Sequence, residues 1–184
     1  MELQTTTVYL SIGSNLGDRA GNLLLAVRGL MESGLTVKRL SGIYETSPVD
    51  VENQDNYLNM VAEVVLTNIT PSQLLARMIR LEFLLGRRHK FTKAPRTVDV
   101  DLLTFGSQIV KKEFLKIPHP AMHKRRFVLT PLAELSPQLV IPTFEITVSE
   151  MLDALDDDAE VVRWEPYDEG HFNLAAGTSA TLIN

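Results

Sequence analysis

The sequence predicts an α+β sandwich: a mainly antiparallel sheet of about four to six strands with helices packed on its faces. Three observations predict it. Segments of strand period and helix period alternate along the 184 residues. Hairpin-like turns interrupt that alternation, which disfavours a doubly wound parallel sheet. Apolar residues make up 45% and charged residues 22%, which excludes a disordered, collagen-like or rod-like chain. A chain of this length buries about 70% of its unfolded surface, enough for one core. One domain over residues 1–184 is expected, with a core at about 7–142 and a C-terminal extension over 143–184.

Residues 6–12 alternate, with Val8, Leu10 and Ile12 on one strand face. Gly13-Ser14-Asn15-Leu16-Gly17-Asp18 then breaks the strand with turn formers. Leu23, Leu24, Val27, Leu30 and Met31 recur at helical spacing, and Gly34 suits a helix end. Residues 37–46 read as one strand, followed by a polar loop over 47–56. Residues 57–67 form the clearest strand, with Leu58, Met60, Ala62, Val64 and Leu66 turned into a core and Asn59 on the opposite face. Thr70-Pro71-Ser72-Gln73 combines an N-cap, a first-turn proline and a capping-box glutamine. Leu74 to Leu85 carry that helix to Gly86.

A basic loop spans 87–96, and residues 97–105 form a strand. Gly106-Ser107 suits a hairpin turn into 108–111. Helices are expected over 125–135 and 149–155, and residues 177–184 have no period.

The net charge of -5 argues against a generic nucleic-acid binder. There are no cysteines, which excludes disulfides and thiolate metal sites. No stretch reaches the roughly 18 apolar residues of a membrane span, and no signal-like segment opens the chain. A cytoplasmic monomer with neither membrane nor nucleic-acid partners is expected.

Arg96-Thr97-Val98-Asp99-Val100-Asp101-Leu102 carries the strongest chemistry. Two aspartates two apart in a strand share one face, their Cα atoms roughly 6.6 Å apart. Taken alone, the pair reads as the solvent face of an edge strand. The flanking arginine and basic loop favour a carboxylate pair that holds Mg²⁺ against a polyphosphate. That loop holds Arg87, Arg88, His89, Lys90, Lys93 and Arg96, and guanidinium groups pair bidentately with phosphate. With few apolar anchors opposing its like charges, it is expected to be mobile without ligand. No Walker-type phosphate loop is present. A second basic cluster runs from His119 to Arg126. His119, between two prolines, can reach a phosphate or hydrogen-bond its own loop.

Leu10-Ser11-Ile12-Gly13-Ser14-Asn15-Leu16-Gly17, Tyr57-Leu58-Asn59, Ala94 to Leu103, and Ile117-Pro118-His119-Pro120 with Arg125 and Phe127 occur in that order. They resemble the 6-hydroxymethyl-7,8-dihydropterin pyrophosphokinases of folate biosynthesis, over about residues 7–142. The resemblance implies a ferredoxin-like fold and transfer of the β,γ-pyrophosphate of ATP to the pterin hydroxymethyl group, with AMP released. It implies that Asp99 and Asp101 are ligands of two Mg²⁺ ions, and that Arg87 and Arg96 contact phosphate as catalytic groups. It places Glu82, Arg87, His89, Arg96, Leu102, Lys116, His119 and Arg125 at the nucleotide. It places Thr46, Ser47, Val49, Tyr57, Asn59 and Phe127 in the pterin pocket. Tyr57 and Phe127 offer aromatic faces and Asn59 amide hydrogen bonds, which suit a neutral heterocycle. Lys93 stands where family members often carry a tryptophan. The rival reading is a ferredoxin-like binding module for RNA or protein. The carboxylate pair speaks against it, since it repels a phosphate backbone in the absence of a metal.

Overall fold

Period-two apolar residues build the centre of the sheet. In the computed structural model, which describes residues 5–47, 55–87, 95–157 and 159–166, β1 (Thr5–Ser14) pairs antiparallel with β4 (Tyr57–Thr67) along its whole length. β5 (Asp99–Phe105) lies on the other side of β1, also antiparallel. Val8, Leu10 and Ile12 of β1, with Leu58, Met60, Ala62, Val64 and Leu66 of β4, enter one apolar cluster. It is closed by α1 (Arg19–Glu32) and α2 (Pro71–Leu84). Leu23, Leu30, Leu74 and Met78 are almost fully buried there, each contributing about 1.5–3 kcal/mol. Asp18 caps α1 by accepting from the Gly21 amide, and α2 opens on the expected Thr70–Gln73 capping box.

The strand expected over 37–46 is two strands, β2 (Thr36–Leu40) and β3 (Tyr44–Thr46), both paired with β4. Ser41 makes the break. Its amide donates to Val61 O and its hydroxyl accepts from Val61 N, both at 2.9 Å. A side chain thus takes a ladder position, and the register resumes only after Gly42-Ile43. With β2 and β3 in the place of one strand, β1-α1-β2/β3-β4-α2-β5 is the ferredoxin-like unit. The sheet runs β5-β1-β4-β3, with β2 also on β4.

The opposite face of β4 is covered as well. Tyr9, Val61 and Leu103 form a second cluster with α3 (Arg126–Leu135), α4 (Val148–Asp153) and Met122 of a 3-10 turn (Met122–Lys124). On that face Asn59 and Glu63 are each only 4% exposed. Arg39 answers Glu63, and also donates to Leu135 O at 2.7 Å.

Two further elements differ from expectation. Residues after Gly106 do not return along β5. β6 (Val110–Lys112) pairs with β7 (Leu115–Ile117) in a separate ribbon. The outer edge of β5 is taken instead by backbone beyond β7, where His119 N donates to Leu103 O at 2.8 Å. A short strand, β8 (Val161–Arg163), adds to β3, where no strand was expected. Three residues are too few to show a period. Among the described residues no helix is long and apolar enough to cross a membrane.

Candidate active site

Alternation along β5 decides where the carboxylates point. Val100 and Leu102 enter the cluster under α1 and α2, whereas Leu103 enters the cluster under α3. Asp99 and Asp101 therefore project from the α3 side. Their side chains are 24% and 34% exposed. On β1, Gly13 lies opposite Asp99 and Ser11 opposite Asp101. On the far side of β1, Gly13 lies opposite Asn59. Asn59, Gly13 and Asp99 thus form one row across three strands, about 10 Å from end to end.

At one end of the row, two arginines meet Asp99. Arg87 pairs with Asp99 and donates to Glu82 at 2.6 Å, and Arg96 donates to the other Asp99 oxygen at 2.6 Å. Glu82 is buried on α2 and also accepts from Val100 N at 2.9 Å. Arg87 is thereby buried between two carboxylates, which offset its desolvation. Hydrogen bonds hold both ends of the basic loop in this arrangement. Asn15 exchanges hydrogen bonds with the Arg96 backbone at 2.8 and 3.2 Å, and Thr97 Oγ1 donates to Leu85 O at 2.5 Å. His89 and the rest of 88–94 lie outside the described residues.

Asp101 faces the second basic cluster. Arg125 Nη1 stands 3.6 Å and His119 Nε2 3.9 Å from its Oδ2. His119 Nδ1 accepts from Ala121 N at 3.2 Å. That fixes the neutral tautomer with its proton on Nε2, aimed at Asp101. Burial pushes the His119 pKa below its ordinary value. Asp101 opposes this, and Arg125 adds to it. Of the two readings open to it, His119 makes the bond to its own loop, and its ring also lies beside Asp101. Lys116 is exposed on β7 opposite Lys111, and Leu102 is a core residue that can offer only its backbone.

At the other end of the row, Asn59 Nδ2 donates to Thr46 Oγ1 at 2.8 Å, both residues 4% exposed. Tyr57 is half-buried opposite Thr46, and Phe127 packs against the second cluster with Arg125 5.6 Å from its ring. Ser47 is exposed at the end of β3, and Val49 lies outside the described residues. A cavity of about 460 Å³ is lined by Asn15, Gly17, Arg19, Glu45, Asp55 and Asn56, none of them a residue expected in the pterin pocket. Arg19 spans it, donating to Glu45 at 2.6 Å and to Asn56 O at 2.7 Å.

Gly13 and Asn15 read in the sequence as turn formers, with no role of their own in the site. A glycine inside a strand run signals a close approach, and that signal was present. A Cβ on Gly13 would lie 2.8 Å from Asn59 Oδ1. Nothing local marked Asn15 as the partner of Arg96, 81 residues away.

The fold is an antiparallel α+β sandwich with carboxylates and guanidinium groups gathered on one sheet face, a layout whose chemistry suits a polyphosphate. Residues 9–137 match the family described as 7,8-dihydro-6-hydroxymethylpterin-pyrophosphokinase. A 2-amino-4-hydroxy-6-hydroxymethyldihydropteridine pyrophosphokinase of Bacillus subtilis is 42% identical over 132 residues, 71% of this chain and 78% of that one. The protein of that name from Aquifex aeolicus is 36% identical over 144 residues, 78% of this chain and 89% of that one. A crystal structure of Plasmodium falciparum HPPK-DHPS shares the fold, with a TM-score of 0.65 at 16% identity. It is matched over 83% of this chain and only 46% of that longer one. The chain belongs to the 7,8-dihydro-6-hydroxymethylpterin-pyrophosphokinase family. Its activity is pyrophosphoryl transfer from ATP, a step of folate biosynthesis.

Proposed function

We propose that this chain moves the β,γ-pyrophosphate of ATP onto the hydroxymethyl oxygen of 6-hydroxymethyl-7,8-dihydropterin, with the pterin at Asn59 and the polyphosphate at Asp99 and Asp101. The Asn59–Gly13–Asp99 row carries this reading. It sets a heterocycle-binding amide and a phosphate-facing cluster on one face, two strand spacings apart. In the reaction the hydroxymethyl oxygen bonds to the β-phosphorus and the bond from that phosphorus to the α-phosphate bridging oxygen breaks. The electron pair leaves with AMP and the hydroxyl proton passes to solvent.

The donor set suits magnesium. Among the described residues no group of three or more histidine or carboxylate side chains could hold a metal. Two aspartates would have to share the ion with phosphate oxygens and water, which is magnesium's habit. Asp99 and Asp101 would hold one or two such ions, which supply charge neutralisation on the polyphosphate when bound. Arg87 and Arg96 sit a hydrogen bond from Asp99 and turn from it to phosphate oxygens as the nucleotide enters. Arg125 extends the cationic wall, and His119 adds a neutral Nε2–H donor beside it. Glu82 holds Arg87 in reach of the site. Thr46 fixes the Asn59 amide so that its oxygen is left to the pterin, while Tyr57 and Phe127 supply aromatic faces. Catalysis then rests on positioning and charge stabilisation, as is usual for phosphoryl transfer. ATP as substrate supports a cytoplasmic setting.

AMP release from ATP, with and without the pterin, tests this. AMP should appear in step with the pterin diphosphate, and only when pterin and magnesium are both present. Steady ATP breakdown that ignores the pterin would overturn the substrate assignment.

A further inference from the structure

We propose that Asp157 is a positioning residue for the reaction, holding the first turn of α3 so that Arg125 and Phe127 face the site. This rests on the roles given above to those two residues. α3 begins at Arg126, directly after Arg125, whose own side chain makes no capping hydrogen bond. A helix start needs acceptors for its first amides. Here the acceptor comes from 31 residues away, where Asp157 Oδ2 accepts from Arg126 N at 3.1 Å. The other carboxylate oxygen accepts from Ala159 N at 2.9 Å, which fixes the carboxylate's own orientation. The Arg126 side chain closes the clasp by donating to Asp157 O at 2.8 Å and to Leu155 O at 3.2 Å. A negative charge beside a helix N-terminus also suits the helix dipole.

The clasp has a consequence for chemistry because of sequence adjacency. Arg126 turns to the C-terminal segment, while its two neighbours turn to the site. Arg125 reaches toward Asp101 at 3.6 Å and lies 5.6 Å from the Phe127 ring. Loss of the Arg126 acceptor frees the residue between them, and both lose their fixed direction. Residues 155–157 thus serve the site through Arg126.

Steady-state kinetics of Asp157→Ala, Asp157→Asn, Arg125→Ala and the double variant Arg125→Ala/Asp157→Ala test this, measured well below the Tm of the weakest protein. Asp157→Ala should lower kcat/KM about fivefold to tenfold. Asp157→Asn should recover most of that loss, since an amide oxygen still accepts from Arg126 N. In the Arg125→Ala background the Asp157→Ala penalty should shrink at least threefold, because much of it passes through Arg125. A lower Tm with kcat and both KM values within twofold of wild type would overturn the proposal, leaving an ordinary helix cap. Penalties that simply multiply in the double variant would also overturn it. Arg125→Ala at wild-type rates would remove the role assigned to Arg125, and this inference with it.

Discussion

Gly13 and Asn59 face each other across β1 and β4 so closely that one methyl group on Gly13 would sit 2.8 Å from Asn59 Oδ1. The glycine is needed for room, since it leaves the Asn59 amide lying over β1 toward the aspartates. Gly13→Ala should therefore displace that amide and act as a milder form of Asn59→Ala. Both should weaken pterin binding by about 1–3 kcal/mol through a lost buried hydrogen bond, with ATP binding nearly unchanged. Calorimetric titration with each ligand checks this. Equal loss for both ligands would point to damage to the sheet rather than to the pterin pocket.

The two aspartates should separate in stability while agreeing in activity. Asp101→Ala and Asp99→Ala should each lower turnover at least about a hundredfold through lost charge stabilisation. Asp99, however, is the shared partner of Arg87 and Arg96, and the Arg87 side chain is only 5% exposed. Its removal should also cost about 1–3 kcal/mol of folding stability. The Asp101 side chain is more exposed, 34% against 24%, so its removal should lower Tm less than that of Asp99. Turnover and thermal melts on both variants decide it. Near-normal transfer by either one at ordinary magnesium would sink the roles given to the pair.

Tyr44 offers a test at alkaline pH. Its hydroxyl donates to Glu134 at 2.9 Å, and the same carboxylate oxygen accepts from Gly42 N. Burial, and then the bond to Glu134, raise the phenol's pKa above its ordinary value. The folded protein therefore holds this proton more tightly than the unfolded chain. The stabilisation is present below the unfolded value of about 10 and is lost as pH rises through the folded one. Wild type should melt above Tyr44→Phe near pH 7, and the gap should narrow beyond pH 10. A gap that stays constant up to pH 11 would show that the phenol is not coupled to Glu134.

Much of this site was legible because its parts are local. Asp99 and Asp101 share a face by strand alternation alone, and the basic residues are their neighbours in the chain. The capping box at Thr70 is likewise a four-residue pattern. The division of 37–46 was not legible, because it depends on Ser41 answering Val61 from a different strand. The hairpin after β5 was misread for a similar reason. Gly106-Ser107 is a sound turn, but the strand edge it would have led to is taken by His119.

What the sequence determined by itself is what periodicity and short spacing can encode: the α+β class, the main strands and helices, and the carboxylate pair beside a basic loop. These follow from the side-chain repeats of 2.0 and 3.6 residues, which hold before any tertiary contact forms. Only the tertiary structure decided which of those groups meet. Gly13 comes between Asn59 and Asp99 because β1 lies between β4 and β5. Asn15 finds Arg96, and Asp157 finds Arg126, across 81 and 31 residues of chain. Such pairings carry no local pattern. They exist because burying two apolar clusters, one on each face of the sheet, fixes the order of the strands. The polar groups left at the strand ends then bond to whatever that order brings beside them.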